Sequence, residues 1–188
     1  MTLGTYNSPQ TTPEGSTSVG AGTAIVVNNE ADDGSTVTPL PAAYGRIGLG
    51  SRVDAGIKAA PYVLFADLKY QLLDRQVDVA ADFGISYGVP NTVGAYPALY
   101  VGTDRFYAGG RLAIISGSTG SENTNSGESS LFSDEITFSG VVPGVVVGAS
   151  IGDQFRVRPE VNVHLPTGGG SPMVLPGIGF RYQFGQGR

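Results

Sequence analysis

The chain has 188 residues, which suits one domain. Its 29 Gly and 12 Pro, with only 14% charged residues and many Val, Ile, Tyr and Phe, favour short strands and turns over helices. The sequence has no stretch of about 18 unbroken apolar residues, so a transmembrane helix is excluded. The absence of Cys excludes disulfides and thiolate metal sites, and a net charge of −5 without a basic run excludes nucleic acid as a partner.

The chain begins with a segment, 1–16, that is rich in Thr, Ser, Pro and Gly, and we expect a flexible N-terminal tail there. Met1 is not followed by a basic and then apolar leader, so we expect an exported, mature form with an added start Met. About ten strand-like segments then fill 17–184, and 185–188 form a C-terminal extension. The predicted strands are 17–28, 42–49, 53–60, 62–72, 77–88, 95–102, 106–115, 136–151, 155–165 and 173–184.

The connections between these segments alternate in length. Those after the even-numbered strands are tight, and those after the odd-numbered strands are mostly long, as at 29–41, 116–135 and 166–172. One connection departs from the pattern, because the third and fourth strands meet at Ala60-Pro61 with almost no loop. Short turns on one rim and long loops on the other are typical of outer-membrane barrels, with the short turns in the periplasm. The predicted fold class is therefore all-β: a closed antiparallel transmembrane β-barrel of about ten strands, or eight if 17–28 pairs poorly.

The alternation within the strands indicates which face meets lipid. In the ninth strand Val157 and Val161 alternate with Arg156 and Arg158, and other strands repeat the pattern. The apolar faces are long enough for a tilted strand to span the hydrocarbon layer. We therefore predict that Val157, Val161, Leu68, Val79 and Ile178 face lipid, whereas Arg156, Arg158, Asp67 and Arg181 face the lumen.

Aromatic residues near the strand ends support this orientation. Two interfacial girdles are characteristic of membrane barrels. We assign the girdle at the short turns to Tyr70, Tyr100, Phe106, Phe155, Tyr182 and Phe184. The girdle at the other rim is assigned to Tyr87 and Tyr96.

These segments resemble the small outer-membrane β-barrel proteins of diderm bacteria. The resemblance lies in 44–50 (YGRIGLG), 52–57 (RVDAGI), 67–73 (DLKYQLL) and the ending 177–184 (GIGFRYQF), which is similar to their closing strand. That strand normally finishes on an aromatic residue, whereas here four residues follow Phe184. The resemblance implies a location in the bacterial outer membrane, but not a function, because such barrels include pores, enzymes and inert anchors.

The predicted lumen holds a network of charged and polar side chains. Its members are Arg46, Asp54, Lys58, Asp67, Lys69, Asp78, Asp82, Arg111, Arg156, Arg158, Glu160, His164 and Arg181. One interpretation is a weakly anion-preferring pore. The interpretation that we favour is an occluded lumen filled by salt bridges, since eight strands leave room only for side chains and ten are close to that limit. The pairs expected first are Arg158 with Glu160, and Lys69 with Asp67 or Asp82.

The single His gives an alternative function. An outer-membrane hydrolase could use His164 as a general base, with Asp82 and Ser86 as candidate partners. Nothing in the spacing selects such partners, so we predict a polar filler and no enzymatic activity. The leading prediction is a non-enzymatic barrel, either a narrow or occluded pore or a structural scaffold at the surface.

No cofactor or metal site is predicted. The segment 29–34 (NEADDG) has Leu40 where a calcium loop needs its closing Glu, and Gly168–Gly170 do not open a helix as a phosphate-binding loop would. The expected partner is outer-membrane lipid. Lipopolysaccharide is a further expected partner, through divalent cations at 29–34 or at the loop residues Glu122, Glu128, Asp134 and Glu135.

Overall fold

The computed structural model describes residues 7–30, 34–89, 91–120, 135–165, 167 and 172–185. Ten strands make up the regular structure of this part of the chain. They are β1 (Thr17–Glu30), β2 (Gly34–Gly50), β3 (Val53–Ala60), β4 (Val63–Leu73), β5 (Asp78–Gly88), β6 (Thr92–Gly102), β7 (Phe106–Gly120), β8 (Glu135–Ala149), β9 (Phe155–His164) and β10 (Met173–Phe184). Among the described residues there is no helix long and apolar enough to cross a membrane.

The ten strands form a closed antiparallel barrel. Each strand pairs with its neighbours in sequence, and β1 pairs with β10 from Thr17↔Phe184 to Ala24↔Gly177. The predicted fold class is confirmed, and the eight-strand alternative is wrong because β1 pairs on both of its sides. Within the barrel wall, closure gives all ten strands a partner on both sides without water, which is the condition for spanning a bilayer.

The two rims differ in their connections. The turns after β2, β4, β6 and β8 define the short-turn rim, where Thr17 and Phe184 also lie. The other end, with the connections after the odd-numbered strands, is the long-loop rim. Three of its connections are nevertheless short, at 31–33, 61–62 and 89–91, and only 121–134 and 165–172 are long. In the two-residue turn at 61–62, proline is followed by Tyr62 at φ 64°. This is the order of a type II turn, in which proline fixes the first φ and the next residue takes a left-handed conformation.

Two hairpins at the long-loop rim extend beyond their other neighbours. Residues 25–30 pair only with 34–39, because the pairing of β1 with β10 stops at Ala24 and that of β2 with β3 stops at Ala43. The loop predicted over 29–41 is therefore wrong, since β2 begins at Gly34. Pro39 and Pro41 are tolerated in this strand because they lie beyond the β3 edge, where no strand is paired. The β7–β8 hairpin likewise continues to Gly120↔Glu135.

The outside of the barrel is apolar and the inside is polar. Leu68 is 51% exposed and Val161 and Ile178 are each 38% exposed, whereas Arg158 is 1% exposed and Arg181 is 3% exposed. A soluble barrel would show the opposite pattern. The predicted orientation of these strands agrees with the structure, in which Val79 and Val157 are half-buried and Arg156 and Asp67 are largely covered inside.

The aromatic girdles are present with two exceptions. The exposed aromatic residues that match the predicted girdles are Tyr70, Tyr87, Phe106, Phe155, Tyr182 and Phe184. The assignments of Tyr96 and Tyr100 are wrong, because both point into the lumen: Tyr100 is 2% exposed, and the Tyr96 hydroxyl lies 3.0 Å from Ser86 Oγ. On β6 it is Leu99 and Val101 that face outward, so the strand's alternation determines the direction of the tyrosines.

Candidate functional site in the barrel lumen

The centre of the lumen charge network is a buried carboxylate held between two cations. Asp54 on β3 is fully buried, and its Oδ1 lies 2.5 Å from Arg46 Nη2 on β2. Its Oδ2 lies 3.4 Å from Lys69 Nζ, directly opposite on β4. Arg46 also pairs with Asp67 through Nη1, at 2.5 Å. Two acids and two bases on three adjacent strands thus compensate one another in a space without bulk water.

A glycine makes room for this network. Gly56 lies opposite Arg46 in the β2–β3 register. A Cβ atom there would be 2.6 Å from Arg46 Nη1 and 2.9 Å from the carboxylate oxygens of Asp67. The Arg46 guanidinium therefore lies over β3 at the position where that strand has no side chain.

Residues 7–16 enter the lumen and fill the space beside this network. Ser8, Thr12 and Ser16 are each at most 2% exposed. The segment is connected to the wall by one parallel bridge, Glu14↔Gly48. Close to that bridge, Gly15 N donates to Gly48 O at 3.2 Å and Gly48 N donates to Ser16 O at 3.0 Å.

Five cationic side chains of the wall donate hydrogen bonds to oxygen atoms of this segment. Lys69 Nζ donates to the carbonyl oxygens of Ser8 (3.1 Å) and Gln10 (2.6 Å). The four arginine contacts are Arg46 to Asn7 Oδ1 (3.1 Å), Arg156 to Gln10 Oε1 (2.8 Å), Arg158 to Ser8 Oγ (3.1 Å) and Arg181 to Thr12 Oγ1 (2.9 Å). Neutral oxygen atoms thus serve as acceptors for a wall that carries more cations than it can pair with carboxylates.

The same segment donates to the acidic side chains of the wall. The backbone amide of Thr12 donates to Asp54 Oδ2 at 2.6 Å, and Asn7 Nδ2 donates to Asp82 Oδ2 at 2.7 Å. Thr11 Oγ1 donates to Gln71 Oε1 at 2.9 Å. The backbone, amides and hydroxyls of an uncharged peptide can satisfy both charge signs, which a charged side chain could not do.

This placement differs from the flexible tail that the sequence predicts for 1–16. The composition of the segment favours disorder because its apolar residues are too few to form a core. In the barrel, however, its Ser, Thr, Asn and Gln side chains find charged partners that the composition alone does not reveal. Residues 1–6 and 186–188 lie outside the described part of the chain.

The structure places the predicted network residues on the inner face. Ten of them are buried: Arg46, Asp54, Lys69, Asp78, Asp82, Arg111, Arg158, Glu160, His164 and Arg181. Lys58, Asp67 and Arg156 are partly covered. Direct contacts join Arg46, Asp54, Asp67 and Lys69 into one group and Arg111 with His164 into another. The predicted pairs of Lys69 with Asp67 or Asp82 are wrong, since its ion-pair partner within the described residues is Asp54.

Glu160 has a partner that the sequence analysis missed. Tyr107 on β7 donates its hydroxyl to Glu160 Oε1 at 2.6 Å, and Asn162 Nδ2 lies 3.4 Å from Oε2. Tyr107 is 4% exposed. The alternation along β7 could have predicted this direction. Phe106 faces outward, so the next residue, Tyr107, must face inward.

Three lumen tyrosines lie over glycines of neighbouring strands. A Cβ atom on Gly20 would be 2.3 Å from Tyr44 Cζ, one on Gly109 2.5 Å from Tyr100 Cδ1, and one on Gly148 2.5 Å from Tyr107 Cζ. The register confirms each neighbour relation: Gly20↔Tyr44, Gly109↔Tyr100 and Gly148↔Tyr107. Large rings therefore fit into a narrow barrel because the opposing residue has no side chain.

Alanine at Gly148 is expected to destabilise the barrel by about 1–3 kcal/mol, the usual cost of overpacking. Its Cβ would displace the ring of Tyr107 and with it the hydrogen bond to Glu160. The matched control is Gly110→Ala on β7, where an added Cβ has nothing within 4 Å. Urea unfolding in lipid vesicles should separate the two variants, and equal stabilities would contradict the packing argument.

His164 is hydrogen-bonded to a cation. Its Nε2 lies 2.8 Å from Arg111 Nη2, and because a guanidinium can only donate, this nitrogen must accept. The two candidate partners on β5 are engaged elsewhere, Asp82 with Asn7 and Ser86 with Tyr96. Within the described part of the chain, no three His, Cys, Asp or Glu side chains are grouped so that they could hold a metal ion.

The barrel and its lumen together define the class of protein. A closed antiparallel barrel with an apolar exterior, aromatic residues at both rims and an ionised interior is a transmembrane β-barrel of the outer-membrane type. The protein lies in the bacterial outer membrane.

Comparison with known proteins gives similar structures only. No protein-family model and no curated protein matches the sequence. The structure is similar to the N-terminal β-barrel domain of Pseudomonas aeruginosa OprF, with TM-score 0.42 and 11% identity over 92% of this chain and 99% of that chain. It is also similar to neisserial surface protein A, NspA, with TM-score 0.42 and 14% identity over 91% of this chain and 100% of that chain. A third similar structure is Ail, the attachment invasion locus protein of Yersinia pestis, with TM-score 0.37 and 15% identity over 91% of this chain and 99% of that chain.

Proposed function

We propose that the protein is a non-enzymatic outer-membrane barrel with an occluded lumen, which acts as a membrane-embedded scaffold for its hairpins at the long-loop rim. The observation that carries the proposal is the burial of the charged wall. Arg158 and Lys69 are each 1% exposed and Asp54 is 0% exposed. In a water-filled pore these side chains would be hydrated, because the lumen of a conducting barrel is lined by accessible polar groups.

A small cavity at the inner wall supports the same proposal. A cavity of about 50 Å³ is lined by Lys58, Phe65, Asp67, Asp82, Tyr96 and Arg111. Such a volume can hold a few water molecules, each of which needs about 10–15 Å³ of accessible volume. It is too small for a hydrated solute to pass.

The two extended hairpins support the scaffold role. β1 with β2, and β7 with β8, continue beyond the strands that flank them in the barrel wall. A rigid barrel without a transport path can hold such hairpins at a fixed height above the bilayer. The partners proposed for the scaffold are lipid along the apolar exterior and lipopolysaccharide at the long-loop rim; Glu122, Glu128 and Asp134, where cation bridging was expected, lie outside the described residues.

The hydrolase alternative receives less support from the geometry. A general base needs a free lone pair and a path to substrate. His164 is 5% exposed and its Nε2 accepts from Arg111. We therefore assign it to the lumen filling.

Planar-bilayer recording of the full chain tests the occlusion. We expect no steady single-channel current, and we expect Arg158→Ala to lower the urea midpoint without opening a large conductance, because it removes a buried donor to the Ser8 hydroxyl. Arg52→Ala, at an exposed turn position, is the control for stability. Steady anion-selective currents from the unmodified protein, reversed in selectivity by Arg158→Glu, would overturn the proposal in favour of a pore.

A further inference from the structure

We propose that the short-turn half of the lumen is a peptide-binding site, and that residues 7–16 are its tethered ligand and plug. The ligand class is an extended, uncharged peptide with Ser, Thr, Asn and Gln side chains. The inference rests on the proposed occlusion and deepens it, since it assigns the closure of this half to one separable segment.

The contacts of the segment are those of a ligand rather than of a wall element. Its only strand-like pairing among the described residues is the single bridge at Glu14↔Gly48, whereas each barrel strand pairs along its length with two neighbours. The other contacts are side-chain and carbonyl hydrogen bonds to Arg46, Lys69 and Arg181. A peptide held in this way can leave without breaking the barrel ladder.

The site recognises peptide groups at successive positions. At Ser8 the carbonyl oxygen accepts from Lys69 and the hydroxyl accepts from Arg158. At Thr12 the amide donates to Asp54 and the hydroxyl accepts from Arg181. Hydrogen bonds that involve an ionised partner are about twice as strong as neutral ones, so these two residues are the main specificity contacts.

Two glycines allow the segment to dock: Gly15 is a hinge in the segment, and Gly48 lets the segment approach the wall closely. Gly15 lies at φ 69°, a left-handed conformation that suits glycine, and an added Cβ there would meet nothing within 4 Å. Gly48 on β2 is the opposite case, since a Cβ there would lie 2.0 Å from the carbonyl oxygen of Pro13 and 2.5 Å from that of Thr12. The segment can therefore dock only because the wall has no side chain at residue 48.

A first experiment uses full chains that differ at one wall glycine. Gly48→Ala should displace the segment, whereas Gly50→Ala, two residues along the same strand with nothing within 4 Å of its added Cβ, should not. Each is combined with Pro9→Cys, a fully buried position of the segment whose side chain makes none of the hydrogen bonds described above; it is the only thiol in the chain, because the protein has no Cys. We expect a water-soluble maleimide to modify the thiol about tenfold faster in the Gly48→Ala barrel, as local opening requires.

Controls separate displacement from misfolding. Glu14→Cys, at an exposed position, should react at the same rapid rate in both backgrounds. β-Sheet circular dichroism in lipid reports whether each barrel has formed. Equal protection of the Pro9→Cys thiol in the folded Gly48→Ala and Gly50→Ala barrels would overturn the inference.

A second experiment tests binding in trans. A site-specific protease sequence is inserted between Glu14 and Gly15, and the full chain is folded in lipid before it is cut. We expect the cut and washed barrel to lose the segment, and a fluorescent synthetic peptide of residues 1–14 to bind to the emptied barrel. A tether holds the intact segment at an effective concentration of about millimolar, so the free peptide is needed at comparable concentrations.

Peptide variants test the recognition. Ser8→Ala together with Thr12→Val removes the hydroxyls that accept from Arg158 and Arg181, and should weaken binding of the peptide by at least about tenfold. Glu14→Gln, at an exposed position, should bind like the original peptide. If the cut and washed barrel binds no peptide, or if all peptides bind alike, the inference is overturned while the occlusion stands. Conductance of the uncut chain would instead contradict the proposed function.

Discussion

Replacing Asp54 by alanine is expected to destabilise the barrel by about 3–5 kcal/mol, the usual cost of removing one partner from a buried ion pair. Lys69 would lose its ion-pair partner while 1% exposed, and Arg46 would retain only Asp67. The amide of Thr12 would lose its acceptor as well. Urea titration of the folded fraction in lipid vesicles measures the loss.

The matched control for this variant is Asp74→Ala. Asp74 lies in the exposed turn between β4 and β5, where a charge costs little to remove. We expect its stability to stay close to that of the unmodified chain. If both alanine variants unfold at the same urea concentration, the ionised cluster of Arg46, Asp54 and Lys69 does not hold the lumen together.

Arginine in place of Val161 is expected to cost about 2–4 kcal/mol, the penalty for a cation at the bilayer midplane of a membrane barrel. Val161 is in the middle of the outward face of β9, paired with Pro176 and Val147. No lumen group can reach a side chain that leaves the wall on the lipid side. Reversible folding into vesicles measures the difference in free energy.

Ile151→Arg is the control for placing an arginine on the outer surface away from the bilayer midplane. Ile151 is 62% exposed beside the short-turn rim, where the penalty falls to about 0–1 kcal/mol. A loss for Val161→Arg no greater than that for Ile151→Arg would place residue 161 outside the hydrocarbon layer and contradict the orientation of β9.

The strand pattern and its direction could be predicted from the sequence because both follow from local periodicity. The prediction places a strand at 53–60, and the structure has Val53–Ala60. Alternation in β9 also fixes which residues face inward, since neighbouring side chains must point to opposite sides of the wall. The error at β2 had a local cause as well, because Pro39 and Pro41 are typical of loops and are tolerated in a strand only where its edge is unpaired.

The contacts inside the lumen could not be predicted in the same way. Lys69 pairs with Asp54 because of the β3–β4 register, and an error of one residue in a turn would pair it differently. The docking of 7–16 depends on a surface built from six strands, β2 to β5 with β9 and β10, which are distant in sequence. No local pattern in a segment of Ser, Thr, Pro and Gln indicates that such a surface exists.

The extended β1–β2 hairpin has an unpaired strand edge, which matters when several copies of the protein lie close together. Beyond Ala43 the outer edge of β2 has no partner strand, and such an edge is normally a template for aggregation. Neither Pro39 nor Pro41 has an amide hydrogen to offer to an incoming strand. Two of the positions that a strand of a neighbouring copy would contact therefore offer no hydrogen-bond donor, which disfavours the extension of one sheet across this edge.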